Sequence, residues 1–100
     1  MEEIEAVPHA LPALIRTSKV LKKMDKYFGY AREPEKSLAT VKAQVESLEN
    51  QGNFQDLEEM EERIGEAFFQ LCNYARLNGI NSEMLLEKTL EKHLKNHEMR

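Results

Sequence analysis

What this chain has little of narrows it before any motif does. A single cysteine, Cys72, can build neither a disulfide framework nor a CxxC centre. It sits inside an apolar helical pattern and reads as a reduced core thiol, which fits a reducing interior and predicts a cytoplasmic protein. No stretch approaches the roughly 18 consecutive apolar residues of a membrane span. The opening MEEIEAV lacks the basic and apolar regions of a secretory leader. Glycine (four), proline (three) and β-branched residues are too sparse for a sheet protein. A net charge of −4, without a known reading motif, argues against nucleic acid as a partner.

What is present is helical periodicity. Pro8 and Pro12 bracket the entry to a first helix, in which Leu14, Thr17, Leu21, Met24 and Phe28 share a face and Gly29 supplies the break. Pro34 biases Glu33 away from helical geometry, and a second helix is predicted from about Glu35–Ser37 to Asn50. Its buried stripe is Leu38, Val41, Val45 and Leu48. Gln51, Gly52 and Asn53 make a short turn, with Asn53 as a cap, so the next helix should return antiparallel. A last helix, capped by Asn81 or Ser82, offers Leu85, Leu86, Leu90 and Leu94 as core positions. The reading is all-α, a single domain of four antiparallel helices over residues 1–100, with residues 1–8 as a loose leading segment. So small a core points to completion as a homodimer or higher homo-oligomer.

The third helix, Asp56 to about Asn78 with Gly79 as its stop, organises the rest. Leu57, Met60, Ile64, Ala67 or Phe68, Leu71 and Tyr74 or Ala75 form its apolar stripe. Glu59, Glu62 and Glu66 form another, which is either a solvated face or half of a metal site. Charge is uneven around it: six Lys/Arg face one acid, Asp25, between Leu14 and Arg32, against nine acids and three bases between Glu35 and Glu66. A basic helix packed on an acidic pair accounts for this; the alternative is that the basic helix meets a phosphate-bearing ligand.

The run EERIGEAFFQLCNYARLNGINSE, residues 61–83, resembles the signature helix of MazG-type nucleoside triphosphate pyrophosphohydrolases. Glu62, Gly65 and Glu66 stand in its first motif, followed by Asn73, Ala75, Arg76, Gly79 and Glu83. Pro12, Ala13, Leu14, Arg16 and Lys19 resemble the opening of the family's C-terminal-type domain, and Lys92 falls where its last helix carries a lysine. The resemblance spans His9 to Glu98. It implies an all-α hydrolase that splits a nucleoside triphosphate into monophosphate and pyrophosphate. Mg²⁺ would be held by E-E-x-x-E on the second helix and E-x-x-D on the third. Such a cation needs several oxygen ligands converging from facing helices.

The match fails at those ligands. Aligning Val41, Val45 and Leu48 with the family's apolar stripe puts Ala43, Gln44 and Ser47 in place of the three glutamates. Arg63 takes the glutamate position on the third helix, Glu66 the aspartate position, and Leu90 a usually polar one. A two-residue shift would bring in Glu46 and Glu49. It would also bury Ala43, Ser47 and Asn50 instead of two valines and a leucine, losing roughly 1.5–3 kcal/mol per buried aliphatic side chain. Glu66 is therefore the surviving metal position, Glu62 a weaker candidate, and Asn73 and Lys92 the substrate-binding positions the resemblance implies.

The expected function is that of a MazG-related protein, catalytically impaired, working as a binding or structural module without a cofactor. The alternative is an active hydrolase of nucleoside triphosphates with Mg²⁺ on Glu62, Glu66 and Glu46 or Glu49. His93 and His97, at i and i+4, lack a third zinc ligand and read as helix-end residues. Phe68, Phe69 and Tyr74 read as core rather than as a base pocket.

Overall fold

The computed structural model describes residues 12–29, 32–50 and 56–97. Four helices carry these residues: α1, Ala13–Phe28; α2, Pro34–Asn50; α3, Leu57–Leu77; and α4, Ser82–Asn96. No strand occurs among the described residues. Pro8, the leading segment and the turn through Gln51–Asn53 lie outside them.

The helix ends follow from local chemistry. Pro12 precedes α1, and Gly29 closes it at φ 65°, a left-handed geometry that glycine adopts without a Cβ penalty. Its N–H donates to the Asp25 carbonyl at 2.9 Å. α2 begins at Pro34, whose missing N–H would be unpaired in a first turn anyway. Asp56 caps α3 by accepting from the Glu58 N–H at 3.0 Å. Gly79 (φ 72°) turns the chain after Asn78, and the Asn81 side chain caps α4 by accepting from the Met84 N–H at 3.1 Å.

α2 and α3 form the principal pair, and they run antiparallel. Ser37 near the start of α2 meets Asn73 near the end of α3, while Gln44, farther along α2, faces the first half of α3. α1 packs on α3, and α4 meets α1 and α3 mainly through its first turns, where Ser82 is buried.

Which stripe of α3 turns inward is the main correction to the sequence reading. A polar ladder lies among the inward residues, Glu59, Arg63, Glu66, Gln70 and Asn73 at alternating steps of four and three, beside half-buried Met60, Ala67 and Phe69. Much of the apolar stripe points out, with Leu57 66%, Ile64 40%, Phe68 63% and Leu71 48% exposed. Leu38 and Val45 of α2 are exposed too, as are Leu85, Leu86 and Leu90 of α4, all expected in the core; Leu94 is half-buried. Among the described residues the buried apolar side chains are Leu21, Cys72 and Ala75. The physical reason is layer count. α3 has two unlike faces, and within one copy α2 covers the polar one, leaving most of the apolar one uncovered. Fully burying one Leu or Phe is worth roughly 1.5–3 kcal/mol, so this chain leaves much of its hydrophobic stabilisation unrealised.

Candidate functional site

Between α2 and the first half of α3 lies an open cleft of about 730 Å³. Gln44 stands on the α2 side; Glu58, Glu59, Glu62, Arg63 and Glu66 of α3, with Asp56 at its cap, complete the lining. Gln44 shares the cleft with Arg63 and Glu66. Of the other two substituted positions, Ser47 is half-buried and Ala43 exposed. Glu46 and Glu49 do not line the cleft; both are exposed, and the Glu46 carboxylate lies 4.0 Å from Lys42 Nζ.

Within the cleft, Arg63 and Glu59 pair with each other and Glu66 accepts from a neutral amide. An Arg63 guanidinium N–H donates to Glu59 Oε1 at 2.8 Å, and Gln70 Nε2 donates to Glu66 Oε1 at 3.0 Å. Both pairs run along α3, one turn apart, and neither bridges to α2. Arg63 Nε is buried without a hydrogen-bond partner. An orphaned donor calls for an acceptor, the opposite of a metal ion. A divalent cation here would have carboxylates from one helix only, an amide across from them and a fixed positive charge beside it. The donor set does not fit Mg²⁺. Among the described residues no group of three or more His, Cys, Asp or Glu is placed to hold a metal ion.

The other candidates lie elsewhere. Asn73 is fully buried at a joint of α1, α2 and α3, away from the cleft. Its Nδ2 donates to Ser37 Oγ at 2.7 Å, and its Oδ1 accepts from Arg76 Nη2 at 2.9 Å and Nε at 3.1 Å. Arg76 Nη1 in turn donates to Asp25 Oδ2 at 3.2 Å, and Arg32 Nε donates to the other oxygen of that carboxylate. The hydrogen bond from Arg32, with that from Arg76, holds the Asp25 carboxyl below its ordinary pKa, against the opposing effect of desolvation. Asp25 is thus the acid around which the basic α1 is anchored to α3. The sequence displayed it only as an isolated acid among bases.

Lys92 is exposed on α4 and does not line the cleft. His93 and His97 stack with ring centroids 6.3 Å apart, and none of the described residues joins them in a group of three metal ligands. Cys72 is buried and free, as expected. Phe68, expected in the core, is exposed, while Phe69 is half-buried beside Ala13, Arg16, Thr17 and Val20 of α1.

No family model, no curated protein and no solved structure matches this chain. None of the helices of the described residues is long and apolar enough to cross a membrane.

Proposed function

We propose that this chain is a MazG-related four-helix bundle in which the hydrolytic site has been lost, serving as a homodimeric binding or structural module. The observation that carries this reading is Arg63. In the family pattern that position ligates a cation, whereas here a guanidinium lies in the cleft wall, paired with Glu59 and facing Gln44 rather than a carboxylate. Removing charge from water is costly, so a second cation beside an arginine needs more anionic ligands than one helix face supplies. Nucleoside triphosphate is then at most a ligand, and Mg²⁺ is not a resident cofactor. The single buried thiol suits a reducing compartment, and the cytoplasm is the assigned location.

The test is pyrophosphate release from a panel of common and modified nucleoside triphosphates with Mg²⁺ or Mn²⁺. The expected result is background turnover, unchanged by Glu66→Ala. Metal-dependent turnover lost in Glu66→Ala would establish the active-hydrolase alternative on Glu62 and Glu66.

A further inference from the structure

We propose that the outward apolar face formed by Ile64, Phe68 and Leu71 of α3 with Leu85, Leu86 and Leu90 of α4 is the seam for a second copy of this chain. The two copies pack about a twofold axis with their α4 helices antiparallel. This rests on the homodimer reading above and assigns its surface.

Three observations select that occupant. The first is area. These six side chains, each between 40% and 63% exposed, present on the order of 600 Å² of apolar surface. That is at the top of what a monomer usually shows in one patch and close to the roughly 800 Å² per partner of a standard interface.

The second is α4 itself. It has 15 residues, and beyond its first turn only Leu94 is even half-buried. A helix of that length is marginal in water without packing, so it needs a covering surface, and its own side of the molecule provides one. An apolar groove of about 420 Å³ runs along it, with Leu14, Phe68, Leu71, Leu85 and Leu86 in its walls.

The third is charge. The first half of α4 carries Glu83, Glu87 and Lys88, a net negative charge, and its second half Glu91, Lys92, His93 and Lys95, a net positive one. Antiparallel pairing sets the acidic end of each α4 against the basic end of the other, with opposed helix dipoles. The surface is therefore complementary to itself, as an isologous twofold contact requires.

The experiment is the molar mass of the full chain by light scattering across dilution, for the wild type, Phe68→Glu, Leu86→Glu and the control Val45→Glu on α2. The wild type and the control should be dimers. Both seam variants should dissociate roughly 100-fold more readily, because a carboxylate would be buried without a partner, while keeping their helical circular dichroism. A monomeric wild type removes the homodimer reading and the seam with it. A wild-type dimer that persists in both seam variants leaves the homodimer standing and overturns the seam. If the variants unfold, hydrogen exchange of the wild type decides: amides of residues 83–95 should lose protection on dilution before those of 38–48, and equal loss contradicts the seam. For direction, Glu83→Cys chains are oxidised alone and together with Lys95→Cys chains. Disulfide-linked dimers should form between the two variants and not within Glu83→Cys alone; Glu83→Cys chains that crosslink to themselves overturn the antiparallel arrangement.

Discussion

The two faces of α3 contrast in almost every property. The inner one is a polar ladder in which Glu59 pairs with Arg63, Glu66 with Gln70, and Asn73 with Arg76 and Ser37. The outer one is Leu57, Ile64, Phe68 and Leu71, between 40% and 66% exposed. A chain folding alone for hydrophobic burial would reverse them. On the proposed reading the inner face is what is left of a ligand-binding cleft and the outer face is one half of a core completed by a second copy.

Substitutions can break that contrast from either side. The largest effect is expected away from both faces, at Leu21, which is fully buried between α1 and the rest. Leu21→Ala should cost about 2–5 kcal/mol in urea unfolding, from lost transfer energy and the cavity left behind. A smaller loss would mean that the monomer core scarcely contributes. On the inner face, Asn73→Ala leaves the Ser37 hydroxyl and two Arg76 donors without their partner. About 1–3 kcal/mol should be lost, whereas an unchanged midpoint would mean that the ladder is decorative.

Asp25 gives the inner network a pH signature. Its folded pKa lies below the ordinary 3.8, so the unfolded chain binds its proton first as pH falls. Its stabilisation is then fully present above about pH 4 and is lost as pH falls through the folded value. The stability difference between wild type and Asp25→Asn should shrink below pH 4. A difference that grows on acidification would contradict the pairing with Arg32 and Arg76. Smallest of all, Arg63→Ala should change stability by only about 0.2–0.5 kcal/mol, since it removes one i,i+4 pair.

Among the described residues the four helices and most of their boundaries were legible, because each rests on local chemistry: Gly29 and Gly79 at left-handed positions, Asn81 at a cap; α2 starts at Pro34, one residue before the expected Glu35–Ser37. Gln44 lines the candidate cleft with Glu66 and Arg63, whereas Val45, the middle of the apolar stripe that set the alignment, is exposed and Ser47 is half-buried. The facing of α3 was not legible. Periodicity finds two stripes but does not say which surface covers each, and an apolar stripe is satisfied equally by its own chain or by another. The joint between Asp25 and Arg76 was out of reach for another reason. Those residues stand 51 positions apart, and no local pattern links them. Asn73, a substrate-binding position by resemblance, makes a hydrogen bond that ties α2 to α3.

The uncovered face of α3 is tested most directly by the urea unfolding midpoint of the wild-type chain at two protein concentrations a hundredfold apart. If a second copy completes the core, unfolding is coupled to dissociation. The apparent stability should then rise with concentration by the equivalent of about 2.7 kcal/mol. A midpoint independent of concentration would show that one copy folds with Phe68 and its neighbours left in water, and would contradict the account.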